Sequence, residues 1–252
     1  MTTVELPSPA ALEAAASAFT VALVGIGLLI VGSAGAAAIW ARSLNGWALG
    51  GVSFVLSQTA QFVALFLFGP LIAAFTSAPL QEASRAIMLS TAARGIRQER
   101  PGTAFGFGHG AVDLLTSSLI PTLSAVIILG GIRDGSIFVE LDAEVTERVQ
   151  AVAIFLSSQT LSSAALLVAQ GAAMLGLHAL LTAMVLRIIM RGGGVRTVSS
   201  GLLLPIAIHT PVAVVRTLFP SVTMPVLLLA LLVAALAYRR GRGTMVESAP
   251  SQ

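Results

Sequence analysis

The chain has 252 residues, of which 56% are hydrophobic and only 10% are charged, and its mean hydropathy is +0.93. Soluble domains carry about 25% charged residues, so this composition excludes an ordinary soluble domain. Cysteine is absent, which also excludes disulfides and thiolate metal sites. The net charge of +3 comes from arginines spread beside apolar runs, so we expect the lipid bilayer as partner and no nucleic acid.

The apolar runs are about 20 residues or longer, which predicts an all-α, polytopic transmembrane helix bundle. We expect about seven spans within a single integral membrane domain, residues 1–242, followed by a disordered C-terminal tail, residues 243–252. Gly69 and Pro70 are expected to bend or end the second span. The predicted spans cover Ser17 to Trp40, Trp47 to Phe75, Ala78 to Ile96, the stretch after Pro101-Gly102 to Gly131, Leu161 to Met190, Thr197 to Leu218 and Met224 to Tyr238.

The segment from Arg133 to Gln159 differs from the spans in composition. Apolar residues recur near helical spacing in it, which predicts an amphipathic helix lying at the membrane interface. An eighth span from Val149 to Val168 is the alternative. The acidic residues of the segment are Asp134, Glu140, Asp142, Glu144 and Glu147, and its apolar residues are Val145, Val149, Val152, Ile154 and Phe155.

The arginines alternate between the two sides of a seven-span arrangement. Short cytoplasmic loops are enriched in basic residues, so the chain is predicted to be a multi-pass inner (plasma) membrane protein with its N-terminus outside and its C-terminus in the cytoplasm. The arginines placed on the cytoplasmic side are Arg42, Arg94, Arg97, Arg100, Arg187, Arg191, Arg196, Arg239, Arg240 and Arg242. The charges placed outside are Glu5, Glu13, the acidic 134–147 segment, Arg133, Arg148 and Arg216.

Five acidic or histidine residues occur inside the predicted spans: Glu82, His109, Asp113, His178 and His209. At about 1.5 Å of rise per residue, each is roughly 14–20 Å from the nearest predicted cytoplasmic arginine, so all share the middle third of the membrane. Ionisable groups at that depth usually face a cavity, one another or a metal. We therefore expect these side chains to converge, although any single histidine could be an ordinary packing residue.

Local spacing suggests partners for these groups. His109 and Asp113 are four residues apart and share a helical face, so the carboxylate can fix the imidazole tautomer, and His178 and Thr182 repeat that spacing. Arg85 follows Glu82 by about one turn and could form a purely structural ion pair with it. The glycines Gly106, Gly108 and Gly110 around His109 could serve only to let helices approach closely.

Two motifs resemble those of the YhfC-type intramembrane metalloprotease family, distant relatives of the CAAX-prenyl-processing and bacteriocin-processing membrane proteases. They are APLQEASR at residues 78–85 and AFGFGHGAVD at residues 104–113. HALLT at residues 178–182 and AIH at residues 207–209 resemble the family's two later histidine helices. The resemblance covers roughly residues 75–215. The chain departs from the family pattern at Gln81, Asp113 and Ala213, where the family has Glu, Glu and Asp.

The resemblance implies an intramembrane peptidase that hydrolyses a membrane-embedded or lipid-anchored peptide or protein. His109, His178 and His209 would hold Zn²⁺, and Glu82 would act as the base with Arg85 beside it. Gln81, Asp113 and Thr182 would support these residues. A metal-free variant would use Glu82 with a histidine such as His109 as the general base. The alternatives are an inactive protease-like scaffold or binder, which the departures favour, and a proton- or metal-coupled carrier.

Overall fold

The computed structural model describes the backbone of residues 6–138, 143–192 and 195–246, and within them the side chains of all but residues 143, 195–197 and 241–246. The described chain is mainly helical and contains no strand, which confirms the predicted all-α class. The helices are α1 (Pro9–Ile39), α2 (Leu44–Ser90), α3 (Glu99–Leu114), α4 (Ile120–Arg133), α5 (Ala143–Ser157), α6 (Leu161–Met190), α7 (Val195–Leu218) and α8 (Thr223–Val246). A π-helical segment, Leu115–Leu119, joins α3 to α4.

Six helical segments of the described chain are long and apolar enough to cross a membrane. Many large apolar side chains on them are exposed, including Phe66, Phe62 and Val31. In water such surface would be costly, but a lipid environment covers it without penalty. The chain is therefore a multi-pass membrane protein in length, composition and surface.

The longest helix, α2, contains a chain reversal at Gly69. Its φ of +80° and ψ of 176° are accessible mainly to glycine, and Pro70 begins the second arm at a position where its missing N–H costs nothing. Ser53 and Ser84, and likewise Gln61 and Ser77, hydrogen-bond across the reversal at nearly equal distances along the chain from Gly69. Residues 44–68 and 70–90 are thus two antiparallel arms of spanning length. They correspond to the second and third predicted spans, but the reversal lies inside the predicted second span, so the second arm runs from Pro70 to Ser90 rather than from Ala78 to Ile96.

The other boundaries differ modestly from the predictions. The span from Leu161 to Met190 is reproduced as α6, whereas α1 begins eight residues earlier than predicted, at Pro9. The alternative eighth span is not formed, because α5 ends at Ser157 and α6 begins at Leu161. α8 continues to Val246, into the predicted tail, and residues 247–252 of that tail lie outside the described residues, as do Glu5, Glu140 and Asp142.

The chain divides into two compact units. Unit 1 comprises the described residues up to Leu29 together with Leu114–Gly171, and unit 2 comprises Ile30–Asp113 and the described residues from Ala172 onwards. The predicted single domain over residues 1–242 stays a prediction.

Unit 1 has a small apolar core. Within it, α5 packs through Val149, Ala153 and Leu156, which share one helical face, whereas Val152 and Phe155 are exposed. The apolar residues that indicated α5 therefore lie mostly away from this core, as expected for a helix that also meets a membrane interface. The buried members of the core are Leu12, Ala15, Ala125, Leu129, Ile132, Ala153 and Leu156.

Unit 2 holds α3 between two neighbours through glycines. A Cβ at Gly108 would lie 1.7 Å from the Trp47 carbonyl oxygen on the first arm of α2. A Cβ at Gly106 would lie 2.6 Å from the Ala179 Cα on α6. The backbones touch at these points because no side chain separates them. His109 directly follows Gly108 in sequence, so these two contacts bring it close to both neighbouring helices.

Candidate functional site

The ionisable residues of the predicted spans converge in unit 2. Glu82 and Arg85 lie on the second arm of α2, and both are fully buried. The His178 ring centroid is 5.0 Å from that of His109 on α3 and 5.3 Å from that of His209 on α7. We call the group formed by Glu82, Arg85, His109, Asp113, His178, His209 and Arg216 the polar cluster.

Glu82 is held on both of its carboxylate oxygens. Arg85 Nη1 donates to Oε1 and to Oε2, each at 2.6 Å, and His209 Nδ1 lies 2.9 Å from Oε1. Because a carboxylate accepts, His209 carries its proton on Nδ1 in this arrangement. Among the described residues, Oε2 accepts only from Arg85, so it keeps the capacity to accept a further hydrogen bond.

His178 has a defined tautomer. Arg85 Nη2 lies 3.0 Å from His178 Nδ1, and since an arginine only donates, Nδ1 must be the acceptor. The other nitrogen, Nε2, lies 3.2 Å from Asp113 Oδ2 and donates its proton there. Both ring nitrogens of His178 are therefore occupied, and Arg85 links the imidazole to Glu82.

Asp113 is bound by Arg216 in a two-pronged ion pair. Arg216 Nη1 and Nη2 donate to Oδ2 and Oδ1 at 2.8 and 2.9 Å. Arg216 was predicted to be a charge outside the membrane, at the end of a span. In the structure it lies in the last turn of α7 and belongs to the polar cluster. The signal for this role is its spacing, because Arg216 follows His209 by seven residues and shares its helical face.

His109 does not pair with Asp113, so that predicted pair is corrected. Asp113 faces His178 and Arg216, whereas His109 Nε2 lies 3.3 Å from Gln81 Oε1. With Nε2 as the donor, the lone pair is on Nδ1, which is buried and has no hydrogen-bond partner among the described residues. Gln81 therefore does support a site histidine, as the sequence predicts, but by direct contact with His109.

A chain of hydrogen-bonded polar side chains reaches His109 through Gln81, and it was not predicted from the sequence. Gln81 Nε2 donates to Ser77 Oγ at 3.2 Å, and Ser77 Oγ donates to Gln61 Oε1 at 3.1 Å. Gln58 Nε2 also donates to Gln61 Oε1. The signal was available, because Ser77 and Gln81 are four residues apart, on the same face of one helix.

Thr182 does not fulfil the prediction that it would hold His178. Its Oγ1 is buried and has no hydrogen-bond partner among the described side chains and backbone. The physical reason is that Arg85 and Asp113 already occupy both nitrogens of His178. Charged partners form stronger hydrogen bonds than a neutral hydroxyl does.

The donor arrangement decides how well the cluster suits a zinc ion. Three histidine ligands must each turn a free lone pair towards one point, but the lone pair of His178 accepts from Arg85. Two arginines already balance the two carboxylates, so a buried divalent cation would add uncompensated charge. No group of three or more His, Asp or Glu in the described part of the chain is placed to hold a metal ion. As arranged here, the residues do not fit Zn²⁺.

Comparisons of the chain with protein-family models, with curated proteins and with solved structures find no match. The resemblance to the YhfC-type family therefore stays a prediction from the motifs.

Proposed function

We propose that this protein is an intramembrane peptidase of a metal-independent type, in which Glu82 activates water. The observation that supports the proposal is the meeting of one buried carboxylate with His178 and His209, carried by two further helices, through a continuous set of hydrogen bonds. Burial of charged groups at this depth is costly, so a merely structural bundle would gain nothing from it. The substrate class is a membrane-embedded or lipid-anchored peptide or protein.

The proposed chemistry uses the free acceptor capacity of Glu82 Oε2. Oε2 takes a proton from a water molecule as the water oxygen attacks the peptide carbonyl carbon. The carbonyl oxygen gains the electron pair, and the Arg85 guanidinium stabilises that negative charge. The protonated Glu82 then gives its proton to the leaving amine as the C–N bond breaks, which restores the carboxylate. His209, through Nδ1–H, holds the other carboxylate oxygen in place.

A cavity that borders the second arm of α2 offers a route for substrate. It has a volume of about 390 Å³ and lies between the second arm of α2 and α7 in unit 2. Ala83, Ala86 and Ile87 line it on α2, and Val198 and Leu202 line it on α7. An apolar opening between these helices suits a membrane segment, while Ala83 neighbours Glu82 directly in sequence. In the proposed cycle, substrate entering here separates Arg85 from Glu82 Oε2 enough to admit water.

Cleavage of a membrane-anchored reporter by the purified protein in liposomes tests the proposal. Glu82→Gln keeps the shape of the side chain and removes the base, so cleavage is expected to fall roughly 10²–10⁴-fold. The matched control is Glu144→Gln, which makes the same change at an exposed ion pair of unit 1 and should cleave like the wild type. Chelation of metal ions should leave the rate unchanged.

The second candidate is a non-catalytic binder of membrane segments. The short contacts between Arg85 and Glu82 favour it, because they occupy the carboxylate that the chemistry needs. A binder would retain the reporter on the protein without cutting it, in both the wild type and Glu82→Gln. That result, with both proteins folded, would overturn the peptidase proposal.

We also propose that the protein resides in the inner (plasma) membrane with its N-terminus outside and its C-terminus in the cytoplasm. The arginines at the ends of α2, α6 and α8 support this orientation. Cysteines introduced at Ser8 and at Gly241 into this cysteine-free chain test it. An impermeant maleimide added to intact cells should label the first and leave the second unlabelled, and the reverse pattern would contradict the proposal.

A further inference from the structure

A second cavity in unit 2 lies at the basic end of the helices, and no residue of the polar cluster lines it. It has a volume of about 320 Å³ and is formed by the C-terminal part of α6, the N-terminal part of α7 and α8. One part of its lining is basic or polar, with Arg187, Arg191, Ser200 and Tyr238, and another part is apolar, with Ile188 and Leu204. Neither the peptidase proposal nor its rival uses this cavity.

Arg187 lines this cavity, and three contacts hold its side chain in place. Its Nη1 donates to the Tyr238 carbonyl oxygen at 2.7 Å, its Nη2 donates to Glu99 at 2.6 Å, and its guanidinium lies 3.7 Å from the Tyr238 ring centroid. The third nitrogen, Nε, is buried without a hydrogen-bond partner among the described residues. A buried donor without an acceptor is energetically costly, which makes an anionic ligand favourable at this point.

Arg191 supplies a positive charge that no described residue neutralises. Its side chain is exposed, and no described residue forms an ion pair or hydrogen bond with it. Glu99 balances Arg187, so the cavity keeps the charge of Arg191, with Arg239 and Arg240 following Tyr238 in the chain. The lining thus combines a net positive end with an apolar wall.

We propose that this cavity binds a phosphate group, supplied by the headgroup of an acidic phospholipid. Basic pockets between membrane helices suit such headgroups, because the arginines take the phosphate while the apolar side accommodates the start of an acyl chain. Free inorganic phosphate shares the anion chemistry but cannot use Ile188 and Leu204. The site is independent of the polar cluster, so it stands or falls separately from the peptidase activity.

The test is native mass spectrometry of the full chain in detergent, with phosphatidylglycerol or phosphatidylcholine of identical acyl chains. We expect one phosphatidylglycerol to be retained in preference to phosphatidylcholine. Arg191→Ala should weaken its retention roughly fivefold, the effect of one arginine at a membrane surface. Arg94→Ala removes an equal charge from the same end of unit 2, outside the cavity lining, and should change retention less than about twofold.

A second variant separates the cavity from general surface charge. Leu204→Trp fills the apolar side without changing any charge, and it should weaken phosphatidylglycerol retention as well. Equal losses in Arg191→Ala and Arg94→Ala, or no loss in Leu204→Trp, would overturn the proposal. Displacement of phosphatidylglycerol by inorganic phosphate at equal concentration would overturn the lipid as the source of the phosphate.

Discussion

The apolar core of unit 1 and the polar cluster of unit 2, apart from the partly exposed Arg216, are both buried and differ in what holds them. The unit 1 core consists of leucine, isoleucine and alanine, whose attraction has no preferred direction. In the polar cluster, each contact joins a named donor to a named acceptor at 2.6–3.3 Å. Hydrogen bonds weaken steeply when distance or angle is wrong, so this cluster tolerates far fewer replacements.

The comparison shows where specificity resides in this chain. In the unit 1 core, a replacement side chain of similar volume is enough to keep the fold stable, because another aliphatic side chain restores most of the contacts. In the cluster, removing one member leaves a buried charge or donor unmatched, and the penalty falls on the residue that remains. Substitutions in the polar cluster are therefore expected to change stability the most, and this cluster is also where we propose that the function is located.

Arg85→Met is expected to have the largest effect on stability. It leaves Glu82 buried with His209 as its remaining donor and deprives His178 Nδ1 of its donor. Loss of one partner of a buried ion pair costs about 3–5 kcal/mol. Leu129→Met, at an equally buried position of the unit 1 core, should cost less than about 1.5 kcal/mol. The measurement is the free energy of unfolding in mixed micelles.

The double variant Glu82→Gln with Arg85→Met checks the reason for that loss. Because the unpaired charge is then gone, it should be more stable than Arg85→Met alone. If Arg85→Met and Leu129→Met destabilise equally, the difference between the two regions disappears. If the double variant is the less stable one, the penalty does not arise from the buried carboxylate.

Helix positions were largely predictable, because apolar length determines a membrane helix. The α6 boundaries follow from the sequence, and Gly69-Pro70 marks the reversal within α2. The exact start of α1 could not be predicted from the sequence, since residues 9–16 are apolar enough to be either inside or outside the helix. α5 was identified as a helix, but its buried face was not, because Ala153 carries little signal.

The members of the polar cluster were predictable, but their pairings were not. Rarity of charge in apolar runs identifies Glu82, His109 and His178 as one group. Which carboxylate meets which imidazole depends on how the helices are rotated, and spacing within one helix does not contain that information. The predicted partner of His109, Asp113, instead meets His178 and Arg216, which come from two other helices.

Gly108→Ala is expected to have an intermediate effect that couples packing to the cluster. Its Cβ would clash with the Trp47 carbonyl oxygen, so α3 must move away from α2 and shift His109 relative to Gln81. Overpacking of this kind costs about 1–3 kcal/mol. Gly35→Ala is the matched control, because nothing lies within 4 Å of a Cβ there. The midpoint temperature of thermal unfolding should be lower than that of the wild type for Gly108→Ala, and unchanged or higher for Gly35→Ala. Equal midpoints for the two variants would contradict close backbone packing at Gly108.

Thr182→Val should have the smallest effect and the opposite sign. The hydroxyl it removes is buried without a partner among the described residues, whereas the shape is kept. Relief of an unpaired buried group is worth about 1–3 kcal/mol at most, so the variant should be as stable as the wild type or more stable.

The matched control for Thr182→Val is Ser84→Ala, whose single hydroxyl proton has the Gln81 and Ser53 carbonyl oxygens as acceptors at 2.9 and 3.0 Å. It should lose about 0.5–1.5 kcal/mol, the net value of a hydrogen bond. The unfolding free energies of the two variants, compared with the wild type, decide the matter. If Thr182→Val loses as much as Ser84→Ala, the Thr182 hydroxyl has a partner after all.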